Sequence, residues 1–220
     1  MGFSGHVVFA RGERPLLDAP VFDGLGAEAK RAVHAWPPRP GGWQTLQFDH
    51  GVREDALLGA LVEWTGAPVC VADVSDSDVA LVTGVDTGGR RWQAWLNLDL
   101  AAALLVEEPE DVDDTSLWAV SDEFAAALSR KRAELDAEVP ADAEGARAWA
   151  AAAGVPATAE QSRVEQSRVE ELLRSHETFV EDLFDLLLDA LGFPRAQAHD
   201  EDEGEDEDEG EDEDEDGVQG

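Results

Sequence analysis

The sequence predicts an α+β domain: a small, mainly antiparallel sheet packed with helices, followed by a long C-terminal helix and a disordered acidic tail. Three observations carry this expectation. Between Pro68 and Asn97 three short apolar segments are separated by two turn signals, which is the pattern of an antiparallel meander. Apolar residues recur at helical spacing on both sides of that stretch. Residues 200–216 hold fifteen Asp or Glu in seventeen positions, a composition unable to bury a core. The expected organisation is therefore an α+β domain over 1–157, a long amphipathic helix over 158–192 and a tail over 193–220.

The β-branched, apolar run GHVVFA at 5–10 predicts a first strand, ended by the charged ARGERP. Leu25, Ala29, Val33 and Trp36 recur at helical spacing, and Pro37 and Pro38 forbid continuation. After the loop PPRPGG, WQTLQF at 43–48 alternates as a second strand, with Trp43, Thr45 and Gln47 in one phase and Leu46 and Phe48 in other positions. Ala56, Leu57, Ala60, Leu61 and Trp64 form a helical stripe, and Gly66 stands where a left-handed cap is wanted. The meander at about 68–97 follows, with turns at Ser75–Asp78 and Asp86–Gly89 short enough for hairpins.

Beyond the meander, Asn97 or Asp99 is placed to cap a short helix through Val106. Ser121 then caps a helix carrying Phe124, Leu128 and Leu135, which Pro140 is expected to stop. An Ala-rich helix with Trp149 runs on to Gly154. From about Ala159 to Leu191 a stripe through Val169, Leu172, Leu173, His176, Val180, Leu183, Phe184, Leu187, Leu188 and Leu191 predicts one continuous helix. It opens on a tandem pentapeptide, EQSRV at 160–164 and 165–169. Five residues turn a helix by about 500°, which places Val164 and Val169 on different faces and makes the first copy an exposed extension.

The formal charge is -34, from 50 acidic and 16 basic side chains. Setting residues 200–216 aside leaves 35 acidic against 16 basic, a net of -19, so the body itself is strongly acidic. Such a surface repels phosphate backbones, which argues against direct nucleic-acid or anionic-membrane binding. The single cysteine, Cys70, excludes an internal disulfide and fits a reducing compartment. With no signal-peptide pattern and no apolar run near the ~20 residues a span requires, a cytoplasmic protein is expected. An Ala-rich composition with fourteen Arg and two Lys resembles that of high-GC bacterial genomes.

No nucleophile elbow, phosphate loop, zinc-protease motif or dinucleotide fingerprint occurs in the chain. Asp49 and His50, followed by Glu54 and Asp55, form one polar cluster, for which a capping or surface role is the simpler reading. Cys70 among Val69, Val71 and Val74 reads as a small buried hydrophobe. No cofactor and no metal are implied. Along 91–96 alternation separates Trp92, Ala94 and Leu96 from Arg91, Gln93 and Trp95. The second set, joined by Trp43, Thr45 and Gln47, would form a mixed aromatic and polar binding face.

Charge and exclusion together favour a non-enzymatic interaction protein that engages a basic protein partner, in the manner of an immunity protein or a nucleic-acid mimic. The alternative is a small enzyme or ligand-binding domain with its site on the Trp95 and Arg91 face or near Asp49 and His50. Self-association through the 158–192 helix is a further expectation, since its ten stripe positions exceed what a small domain readily buries.

Overall fold

The computed structural model of the chain describes residues 2–49, 54–107, 118–155 and 159–196. Within them, β1 (Gly5–Arg11), β2 (His34–Ala35), β3 (Trp43–Asp49), β4 (Val69–Ser75), β5 (Val79–Val85) and β6 (Arg91–Leu96) make a six-stranded sheet. Every strand pair is antiparallel, in the order β2-β3-β1-β4-β5-β6. The helices are α1 (Ala27–Ala32), α2 (Glu54–Thr65), α3 (Leu98–Leu105), α4 (Asp122–Ala152), α5 (Ala159–Leu173) and α6 (Val180–Ala190). The expected α+β architecture is present, with the 68–97 meander as β4-β5-β6 and the strands near 5–10 and 43–48 as β1 and β3.

The first strand of the chain lies inside the sheet, between β3 and β4. This explains why GHVVFA is apolar without alternation, since Val7 and Phe9 face one core and Val8 and Ala10 the other. The first core is built from α3, α4, α5 and α6 against one sheet face, centred on Phe9, Trp92, Trp149 and Phe184. The second is built from α2 and the 3-10 turns at Leu16–Asp18 and Pro20–Phe22 against the other face. The buried side of α2 is Leu57, Leu58 and Leu61, rotated slightly from the expected stripe, with Ala56 exposed.

Local chemistry sets both meander turns. Asp76 and Ser77 adopt φ of 53° and 58°, the two positive values a tight I′ hairpin requires. At the second turn Gly89 has φ 81°, and the Asp86 carboxylate accepts from the Gly88 and Arg90 amides. Ser121 caps α4 as expected, its Oγ accepting from the Phe124 amide at 3.1 Å. Asn97 sits at the start of α3, yet its amide donates to the Asp78 carbonyl at 2.7 Å and forms no side-chain cap.

Three helical expectations are corrected. The stretch from Leu25 to Trp36 is only six residues of helix, followed by the edge strand β2, and Trp36 instead donates its indole N–H to Gln47. Pro140 does not end its helix, because α4 runs 31 residues through it. An internal proline costs about 3 kcal/mol. Here Leu135, Val139, Ala143, Ala146 and Ala150 lie on one buried side across the proline, which itself is exposed. Breaking the helix would remove half of that stripe from the core.

The third correction concerns the long C-terminal helix, which is two helices, α5 and α6, divided at Arg174–Phe179. The division follows from anchoring of the α6 start: the Val180 amide donates to the Ser77 carbonyl at 2.8 Å, and Ser77 Oγ donates to the buried Glu181 at 2.8 Å. His176, placed on the apolar stripe by its spacing, is exposed in that connection. Val169, Leu173, Val180, Leu183, Phe184, Leu187, Leu188 and Leu191 are buried within the chain's own core. That burial takes up most of the apolar stripe behind the expectation of self-association, while Phe179 and Leu186 of the same segment are exposed. The first pentapeptide copy lies where side chains are outside the described residues, as does the acidic tail. No described helix is long and apolar enough to cross a membrane.

Candidate functional site

The alternation of β6 is as expected: Trp92, Ala94 and Leu96 are buried, Arg91 and Gln93 are exposed, and Trp95 is half-buried. The grouping with β3 is not. Following the register across the sheet, Thr45 pairs with Phe9, Phe9 with Cys70, Cys70 with Gly84 and Gly84 with Trp92. Opposed residues of antiparallel strands share a face. Trp43, Thr45 and Gln47 therefore lie on the Trp92 side, opposite Trp95, and β3 is separated from β6 by three strands. The six residues are not one surface.

Most of them are engaged within the chain. Trp43 stacks on Phe9 with ring centroids 4.8 Å apart and is buried, as is Thr45. Gln47 accepts from the Trp36 indole. Arg91 reaches Asp55 at 2.6 Å and Glu54 at 3.1 Å, tying β6 to the start of α2. Gln93 donates to Thr83 Oγ1 at 3.0 Å, and Trp95 packs along the rim of the first core.

Asp49 is the exposed last residue of β3, whereas His50 lies outside the described residues. Glu54 and Asp55 are the partners of Arg91. Cys70 is buried within β4, and that burial pushes its thiol well above the ordinary range, away from the thiolate that a nucleophile requires. His6 is buried with its Nδ1 3.6 Å from Asp73. Among the described residues no group of three metal-ligating side chains is placed to hold an ion.

Carboxylates are spread around the solvent-facing side of α4. Asp136 is paired with Arg174 and Arg132, and the Arg174 hydrogen bond holds its carboxyl below the usual range. Further along the helix, Glu138 and Asp142, one turn apart on one flank, and Glu144, on another face, have no ion-pair partner among the described residues. Partial burial, together with the Glu138 charge one turn away, pushes Asp142 up to about 6. A carboxyl whose folded pKa is raised holds its proton more tightly when folded. Stability is then fullest below the ordinary carboxylate range and falls as pH rises through about 6. We expect Asp142→Asn to melt higher than the parent at pH 7 and to lose this advantage at pH 4, by thermal denaturation of both chains. Equal melting temperatures at pH 7 would show that the desolvated charge is relieved another way.

A second feature lies at ARGERP, which in the sequence reads only as the end of a strand. Arg11, Arg14 and Trp64 line an open cleft of about 540 Å³ between the end of β1, the Gly41–Gly42 turn and the end of α2. The Arg14 guanidinium lies 4.9 Å from the centroid of the Trp64 ring. Gln44 braces the loop, accepting from the Leu16 amide and donating to the Gly12 and Arg14 carbonyls. Gly41 and Gly42 have φ of 89° and 84°, conformations that favour glycine and leave that wall without side chains. The only local signal was the coincidence of an R-G-E-R segment with a Gly-Gly turn, and their meeting depends on the β1–β3 pairing.

No protein-family model, no curated protein and no solved structure matches this chain. The functional reading therefore rests on the chain's own residues.

Proposed function

We propose that this chain is a non-enzymatic acidic interaction protein whose folded body engages a basic protein partner, as an immunity protein or a nucleic-acid mimic does. The observation that carries the reading is the charge of the body, 35 acidic against 16 basic side chains once residues 200–216 are set aside. Complementary charge accelerates encounter and orients the partner. The placement of cations supports it: Arg39, Arg91, Arg132 and Arg174 each contact two carboxylates of their own chain. The exposed Glu138 and Glu144 are thereby left without an internal cation, on two different faces of α4. The Asp142 pKa is raised first by partial burial and then by the Glu138 charge one turn away, and a basic partner would offset the second of these.

The interaction reading is preferred to a ligand site on the β6 face because Arg91 and Gln93 are spent on Glu54, Asp55 and Thr83. Its test is affinity capture by the full chain at low and at moderately high salt. The expected result is a basic protein recovered at low salt and depleted at high salt, since screening weakens surface charge contacts. Recovery of no basic protein at either ionic strength would overturn it.

A further inference from the structure

The cleft at Arg11 and Arg14 includes no residue of α4. We propose that it is a binding site for the oxyanion group, phosphate or carboxylate, of a small molecule. Three observations support this. Arg11 and Arg14 line one concavity, and neither has an ion-pair partner among the described residues, in a chain with three acidic side chains for every basic one. Glu13 lines the same cleft between them in sequence, yet it makes no ion pair with either. Two arginines on one cleft bring like charge to it, and a bound anion offsets that charge.

The second observation is preorganisation. Trp64 orients Arg14 through its ring face, which makes Trp64 a positioning residue for the guanidinium. Three hydrogen bonds to Gln44 and one from the Gly12 amide to the Gly42 carbonyl fix the loop that carries both arginines. An arginine fork held in advance, as Arg14 is by Trp64, loses little entropy on meeting an oxyanion.

The third is size and field. A volume of about 540 Å³ suits a metabolite-sized ligand. An extended polyanion would have to lie along the acidic body, whereas a compact anion fits a cleft that two arginines line, with more distant charge screened beyond ~8 Å. The ligand class is thus a compact anion and not a nucleic acid. This inference does not depend on the acidic-surface reading, and neither failure would entail the other.

Titration calorimetry of the full chain with inorganic pyrophosphate and, separately, with citrate tests it and distinguishes the two oxyanion sources. We expect saturable one-to-one binding of at least one probe. Pyrophosphate alone would assign the site to phosphates, citrate alone to carboxylates, and both to oxyanions in general. Arg11→Gln and Arg14→Gln should each weaken the binding by about tenfold or more, Trp64→Leu should weaken it less, and Glu13→Gln should strengthen it. Melting curves matching the parent would show that the exposed arginine variants remain folded. No binding of either probe, or binding unchanged in both arginine variants, would overturn the proposal.

Discussion

Replacing Gly84 with alanine is expected to destabilise the chain by about 3 kcal/mol, a fall of roughly 6 to 12 °C in melting temperature for a chain of this size. The added methyl would stand 2.0 Å from Trp92 Nε1 and 2.6 Å from Cε2, well inside contact distance. The indole cannot simply swing away. On its other side α4 approaches through Gly145, where a Cβ would lie 3.0 Å from the Trp92 Cβ, and Trp149 packs on the ring with centroids 6.0 Å apart. Trp92 is thus held between two glycines, one in the sheet and one in the helix. Thermal and denaturant unfolding of Gly84→Ala reads the effect, and the cost should shrink markedly when Trp92→Leu is combined with it. A loss below about 1 kcal/mol would mean that the indole has room to move.

Arg39→Ala is the second change with a large expected effect, again about 3 kcal/mol, at the lower end of what removing one partner of a buried ion pair costs. Arg39 comes from the loop PPRPGG and is only 3% exposed. Its guanidinium donates to Asp189 at 2.7 Å, to the carboxylate and backbone carbonyl of Asp185, and to the Pro194 carbonyl at 3.2 Å. That clasp fastens α6 and the chain after it to the β2–β3 corner, beside Phe193, which packs edge-on against Trp43 and Phe9. Without the guanidinium, Asp189 keeps the exposed Arg195 as a partner, and Asp185 can rehydrate, which places the cost low in the range. Arg39→Lys should recover only part of it, because one ammonium cannot replace the two-armed fork. Hydrogen exchange should show α6 opening before the sheet in the alanine variant. Protection of α6 equal to the parent would contradict the role of the clasp.

The sequence made the meander legible because every signal there is local. Period-two alternation separated Trp92 from Trp95, and Asp-Ser and Gly-Gly pairs marked the two turns that the backbone takes. What it did not show was the order of strands. Alternation within β3 is readable, but its phase relative to β6 is set by β1, β4 and β5 between them, and long-range pairing leaves no local mark. Read from β3 alone Trp43 groups with Trp95, whereas the register across the sheet puts it on the opposite face. Pro140 and the Arg174–Phe179 break failed for the same reason in opposite directions: tertiary burial carried one helix through a proline, and anchoring to Ser77 divided another without one. Arg39 and the Arg11–Arg14 cleft carry no local signal because their partners lie on distant segments.

The most direct test of the central claim, that the folded body and not the tail carries the interaction, uses the full-length chain with every Asp and Glu of residues 200–216 changed to Asn or Gln. Its affinity for the basic partner captured by the parent chain is measured by calorimetry across a salt series. Binding should persist and weaken steadily with ionic strength, because the body retains its net charge of -19. Complete loss of binding on neutralising the tail, or an affinity indifferent to salt, would contradict it.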